Sequence, residues 1–256
     1  MVEHAHLRSP EVNDRWVRGL VGETVVVDTR SPLLVWEAEL PVPRYLFRRE
    51  DVLLDALRPT GEPETPSYHH PNEGVTDWFD IVVGDRRIEH GAWVRASQPD
   101  YLGVTWEFGA IDHWFEEAQE VFEHPHDPYV HIDAYPSERH ITVAREGKVL
   151  ADSSSALLLW ETALPTRYYF PREDVRFQHL TVTDTKSICP YKGFANDYWD
   201  IPGRRSAAWS YPEPFFPYRN IAGLIAFLNE DVDITIDGVL QERPVPKVWP
   251  ARARLK

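Results

Sequence analysis

The sequence predicts a mainly β protein, built as two tandem small β-rich domains with short helices and related by an internal repeat. Three observations lead there. The first is the repeat itself: 25-VVVDTRSPLLVWEAELPVPRYLFRREDV-52 aligns with 149-VLADSSSALLLWETALPTRYYFPREDV-175. With one gap after the Leu-Pro pair, 16 of the 28 positions are identical. Self-similarity at a fixed offset marks a duplicated unit. The second is strand-like patterning in both copies, and the third is proline. At 22 of 256 residues, proline is too frequent for long helices.

The elements follow in order along the better-defined copy. ITVAREGKVLADS (141–153) gives two short runs around REGK, a hairpin signal. SALLLWETAL reads as a continuous apolar run, the pattern of a strand buried on both faces. RYYF alternates in character and stops at Pro171. PREDV fits one helical turn, with proline at its start and acids in the first turn. LIAFL and VDITID flank NED and are expected to form a second hairpin, as is VTWEFGAIDHWF (104–115) in the first copy.

The later words of the copies align more loosely: HPNEG (70–74) with CPYKG (189–193), DWFDI (77–81) with DYWDI (197–201), GAW (91–93) with AAW (207–209). Expected boundaries are a polar tail at 1–14, repeat domains at 15–117 and 139–240, a Pro- and His-rich linker at 118–138, and an extended tail at 241–256. The two domains are expected to pack with rough twofold symmetry.

Composition narrows the function classes. Hydrophobic residues make up 43% and charged residues 27%, a globular composition. Apolar runs such as 221-IAGLIAFL-228 fall well short of the roughly 20 residues that cross a bilayer. The first residues contain no apolar core of a secretory signal. The net charge of −14 repels nucleic-acid phosphates and anionic lipid, so no nucleic-acid or membrane partner is expected. One cysteine cannot close a disulfide within the chain, which suits a reducing cytoplasm. It also leaves no cysteine-rich zinc site.

The words WET..LP.RYY.PREDV, CPYKG.A.YW and AAWSYP.P, with the segment HPHDPYVHIDAYPSERH between the copies, resemble a bacterial family, domain of unknown function 427, in its two-copy form. The likeness spans about residues 15–245. It implies a β-tent fold similar to Mss4-like and cereblon-type ligand-binding domains. Those relatives often hold zinc on paired CxxC motifs, which this sequence does not have, so neither zinc nor another cofactor is expected. The family is sometimes labelled a nucleotidyltransferase domain; no glycine-serine motif with paired aspartates and no P-loop supports that label here.

Four groups of residues carry the candidate chemistry. Glu37 and Glu161 end the apolar run, where burial would suit a carboxylate to general acid or base work; the structural alternative is an ion pair with Arg44 or Arg167. The PRED turn offers Arg172, which could grip a carboxylate or phosphate, while its acids read as ordinary helix-start residues. Cys189 and Lys192 bracket Tyr191. A cation beside a thiol favours the thiolate, but no His–Asp pair is visible by spacing. The alternative there is a buried small thiol in a turn. Finally Tyr168, Tyr169, Tyr191, Tyr198, Trp199, Trp209 and Tyr211 are more amphipathic rings than one small core absorbs; they line either a small-molecule pocket or a core and the interface between copies. His124, His126 and Asp127 offer no regular metal chelate.

The copies differ at one word. Where the second has Cys189 and Lys192, the first has His70 and Glu73. The expected function is therefore binding, with turnover as one form, of a small polar or anionic metabolite in an aromatic cleft, mainly of the C-terminal copy. Catalytic candidates are Glu161, Lys192 and Cys189. Ligand-binding candidates are Arg172, Tyr168, Tyr191, Tyr198, Trp199 and Trp209. A cleft shared between copies, a ligand sensor and a protein-interaction module are the alternatives, and a nucleotidyltransferase-like activity, which the family label implies, is a further one.

Overall fold

The computed structural model describes residues 8–37, 42–65, 67, 69–71 and 74–245. Leu40, Pro41, Glu73 and the tail 246–256 therefore lie outside the described residues. The chain divides into two units, Met1–Asp127 and Pro128–Lys256, and each is mainly β.

The two units share one strand order. In the first, a seven-stranded antiparallel sheet runs Glu11–Val12, Leu33–Val35, Arg44–Arg48, Gln98–Val104, Arg86–Arg95, Val75–Val83, Leu57–Thr60. In the second, the same order reads Ile132–Pro136, Leu157–Glu161, Arg167–Phe170, Ile225–Phe227, Arg204–Ser210, Asp197–Ile201, Thr181–Thr183. A four-stranded sheet accompanies each: Thr24–Thr29, Val17–Val21, His113–Glu116, Gln119–Val121, and correspondingly Lys148–Ser153, Ile141–Arg145, Asp233–Ile236, Val239–Leu240. The described helices are 3₁₀ turns of three to six residues, among them Arg172–Asp174 after Pro171.

Details of the duplication reach the backbone irregularities. A bulge separates Phe79 from Ile81 and another Trp199 from Ile201. Beside them His90 and Ser206 adopt positive φ, 50° and 48°, and the carboxylates of Asp80 and Asp200 accept their backbone N–H groups at 2.8 and 2.7 Å. The side-chain acceptor satisfies a donor that the bulged ladder leaves over. The hairpin expected around REGK is present: Ile141–Arg145 pairs with Lys148–Ser153. Glu146 and Gly147 both have positive φ, as a two-residue turn of matching twist requires.

The two other expected hairpins are absent. Ile225–Phe227 pairs with Arg167–Phe170 and Arg204–Ser210, whereas Asp233–Ile236 pairs with Ile141–Arg145 and Val239–Leu240. In the first unit Gln98–Val104 and His113–Glu116 likewise belong to different sheets. The residues between, including NED, cross from one layer to the other. Asn229 and Glu230 are buried in that crossing rather than exposed at a turn. The stretch 118–138, read as a linker, supplies a strand to each unit: Gln119–Val121 to the first and Ile132–Pro136 to the second. Its prolines and histidines obscured two short strands.

Strand alternation gives each seven-stranded sheet two working faces. In the second unit Leu158, Phe170, Trp199, Ala208, Ile225 and Phe227 face the main core, with Ile141, Val143 and Ile234 of the four-stranded sheet. Leu157, Leu159, Tyr169 and Ala226 face the other way, into a second apolar cluster with Ala195, Tyr211 and Ile221. That double burial is why ALLLW is continuous rather than alternating. Glu161, two residues beyond Leu159, ends the strand that lines the second face.

A buried lysine–glutamate pair on the outer face of the second sheet

Ser187–Cys189 and Gly193–Ala195 form a two-stranded ribbon with Cys189 opposite Gly193. Gly193 has φ +97°, a backbone state that excludes most side chains. A Cβ there would also meet the Phe215 ring at 3.3 Å. The Lys192 carbonyl accepts the Phe215 N–H at 3.0 Å. This turn carries the Lys192 side chain inward, where Nζ donates to Glu161 Oε2 at 2.5 Å. Both side chains are close to buried, 7% and 12% exposed. Among the described residues Glu161 is the one hydrogen-bond acceptor on Nζ, although an ammonium carries three donors.

The surroundings are aromatic and hydroxylic. Cys189, Tyr198, Trp209 and Tyr218 pack at the edge of the same cluster as Tyr169 and Tyr211. Ser187 and Tyr198 share a hydrogen bond of 2.6 Å. Burial opposes the Lys192 charge, but Cys189, Glu161 and Tyr169 outweigh it and push the pKa up, so Lys192 is an ammonium at neutral pH. Burial pushes Tyr169 up to about 12, against the pull of Lys192 and a hydrogen bond from Trp209. Burial also raises Tyr211, with Cys189 and Tyr169 adding to it, and raises Tyr198 and Tyr218. The site is a set of neutral hydroxyls around one neutralised ion pair, with a half-buried thiol beside it.

The sequence-derived candidates do not all meet. Glu161, Lys192, Cys189, Tyr198 and Trp209 share the outer face. Tyr168 and Trp199 are on the main-core face, one residue out of phase with Tyr169 and Tyr198. Arg172 stays with them, its guanidinium 4.9 Å from the Phe177 ring centre and 5.6 Å from that of Trp199. Strand alternation thus separates Arg172, Tyr168 and Trp199 from the lysine. Tyr191 is half-buried within the turn before Lys192. Tyr218 was not foreseen; it lies in the 3₁₀ segment Phe216–Ile221, outside any repeated word.

The first unit builds the matching place differently. Glu37 is buried and bound by two arginines: Arg44 Nε at 3.2 Å, and Arg95 in a close contact. Arg44 also donates to the carbonyls of His69 and His70, at 2.6 and 2.7 Å. His70 occupies the place of Cys189, its ring 5.1 Å from Trp78 and 6.1 Å from Trp93. Burial, with Arg44 and His70 nearby, lowers His69 to about 4; burial, with His90 and Arg44, also lowers His70. The arginine-paired alternative therefore describes Glu37 but not Glu161. Arg167, the counterpart of Arg44, turns instead to a bidentate pair with Glu230 at 2.7 and 2.9 Å. Arg95 was missed by the sequence reading; it lies two residues beyond Trp93 on the same strand.

Among the described residues no group of three or more His, Cys, Asp or Glu is placed to hold a metal ion, and no helix is long and apolar enough to cross a membrane. Comparison with curated proteins finds no match. The profile of one family matches at residues 10–105 and again at 133–238, most of the chain. The chain belongs to the family described as domain of unknown function DUF427, in a two-copy form.

Proposed function

We propose that the outer face of the C-terminal unit binds a small polar metabolite through a carbonyl or carboxylate oxygen, with Lys192 as donor and Cys189 beside the bound group. The observation that supports this is the Lys192 ammonium itself. It is nearly buried, and Glu161 is its one acceptor among the described residues. Burying an ion pair contributes little net stability against apolar side chains of like volume. Retaining one at the edge of an aromatic cluster points to use rather than support.

The pair narrows the ligand. Glu161 already balances the lysine charge, so a carbonyl or single carboxylate oxygen suits the place better than a multiply charged phosphate. Because its pKa is raised, Lys192 polarises a carbonyl by hydrogen bonding rather than attacking it as a free amine. Trp209, Tyr198 and Tyr169 supply walls with fixed hydroxyl and N–H groups. If turnover follows, the balanced step is addition of Cys189 Sγ to the carbonyl carbon. The thiol proton passes to the carbonyl oxygen, with Lys192 and Glu161 as the relay.

The test is a thermal-shift screen of the full chain against keto acids, aldehydes, amino acids, acyl-CoAs, sugar phosphates and nucleotides, run beside Lys192→Ala and Cys189→Ser. A ligand at about 100 times its dissociation constant adds about 2.7 kcal/mol. A carbonyl-bearing hit that disappears in Lys192→Ala supports the site. Retention of binding with loss of turnover in Cys189→Ser separates a catalyst from a sensor. A panel without hits, or hits indifferent to Lys192→Ala, overturns the reading.

A further inference from the structure

Trp160 and Tyr135 form an exposed aromatic pair at the edge of the second seven-stranded sheet. Their ring centres are 5.9 Å apart, and the residues are 42% and 56% exposed. Asp133 lies opposite Trp160, and Tyr135 opposite Leu158. All three therefore share the sheet face of Leu158, away from Lys192. Tyr168, opposite Leu158, continues this face inward. The C-terminal chain arrives there: Pro244 lines one cavity with Pro165, Thr166 and Tyr168. The Leu159–Arg167 register puts Trp160 beside Thr166.

The N-terminal copy shows what crosses the equivalent face. Its sheet bulge follows Gly19, and that of the second copy follows Val143. Trp114 lies opposite Gly19 and Ile234 opposite Val143, so Ile234 stands for Trp114 and Ile236 for Glu116. Val121 pairs with Trp114, and the Gln241 N–H bonds to the Ile234 carbonyl. Counting on from there, Pro246 takes the place of His126 and Lys247 that of Asp127. In the first unit this segment is a strap. His126 gives its backbone N–H to Glu116 at 3.0 Å and its Nδ1 lies 2.9 Å from the same carboxylate, to which the Tyr45 hydroxyl also donates. One residue on, Asp127 accepts the Trp36 indole N–H at 3.0 Å. Trp36 is the counterpart of Trp160 in the repeated WE word.

The exchanges in the second unit are matched. The polar anchor His126–Glu116 becomes Pro246 and Ile236, both apolar. The carboxylate that caps the indole edge becomes Lys247, which suits the face of an indole. We propose that the Trp160–Tyr135 surface is the docking site of the chain's own C-terminal segment, Pro246–Pro250, laid down as a proline-bearing basic strap. Pro246 packs toward Ile236 and Tyr168, and Lys247 lies over Trp160. Proline-bearing segments favour extended structure and dock on aromatic surfaces. The charge agrees: residues 246–256 carry four basic side chains and no acid in a chain of net charge −14, and Asp133 stands beside Trp160. The reach agrees too, since three extended residues span about 10 Å.

Trypsin digestion of the folded full chain, followed by mass spectrometry, tests the contact. Cleavage after Lys247 is expected to be at least tenfold slower than after Arg254, and Trp160→Ala to remove the difference. Equal rates in the parent, or a difference unchanged in folded Trp160→Ala, overturn the proposal. Should that variant not fold, a nitroxide decides, carried on Ala251→Cys in a Cys189→Ser background. It is expected to broaden the Trp160 indole signal in ¹H–¹⁵N spectra more strongly than that of Trp209 on the other face. Equal broadening of the two, or none, overturns the proposal. So does broadening of Trp160 in ¹⁵N-labelled chains that carry no nitroxide when they are mixed with unlabelled nitroxide chains, because the strap then comes from a second copy.

Discussion

Lys192 and Glu161 form a nearly buried ion pair at 2.5 Å, where the other copy neutralises the equivalent Glu37 with Arg44 and Arg95. The carboxylate has stayed and its partner has moved from the sheet strands to the turn of a ribbon.

Breaking that pair from one side leaves a buried charge. Lys192→Met is expected to destabilise the chain by about 3–5 kcal/mol, since an uncompensated buried ion is the costly case. Lys192→Met with Glu161→Leu is expected to recover most of the loss. Urea unfolding midpoints of the two single variants and the double variant measure this. Additive losses would show that the pair is not coupled.

Acid should act through His69. Its folded-state pKa is lowered to about 4 by burial and by Arg44, so between the ordinary value of 6.5 and about 4 the unfolded chain binds a proton that the folded chain does not. Stability from this group is full above pH 6.5 and declines as pH falls toward 4. Denaturation midpoints across that window should flatten in His69→Gln.

Alkali should act through Tyr169 in the opposite sense. Burial raises its folded-state pKa to about 12 from 10.0. Its contribution is therefore complete below pH 10 and is lost as pH rises through about 12. Tyr169→Phe is expected to shift the alkaline limb of the stability profile upward, and its absorbance titration near 295 nm should match the parent's below pH 11 and lack one tyrosinate only as the pH passes about 12.

Gly103 is a packing requirement. An added Cβ would be 2.2 Å from the Trp93 indole, and Trp93 is fully buried. Gly103→Ala should cost about 1–3 kcal/mol by overpacking, read as a lower thermal midpoint. The second unit has Ala226 at this position, so Ala226→Gly should cost no more than about 1 kcal/mol there.

Much of the fold was legible because the repeat and the strand pattern act locally. WE, LP and REDV announced the duplication, REGK its turn, and LLLW a strand covered on both sides. The crossings were not legible. NED looks like a turn between two apolar runs, and nothing local tells that Leu228–Val232 passes from one sheet to the other. The candidate site was half legible. Lys192 and Glu161 are 31 residues apart, and no pattern in the sequence brings them together. Alternation within RYYF and DYWDI did carry the missing information: adjacent rings must face opposite ways, so Tyr168 and Trp199 could not join Tyr169 and Tyr198.

The shared bulges beside Asp80 and Asp200 have a practical meaning. Two linings are mounted on one backbone blueprint, so this molecule is a ready-made donor and recipient for transplantation. Segments exchanged between the halves at matched registers would arrive in a frame that already knows how to seat them.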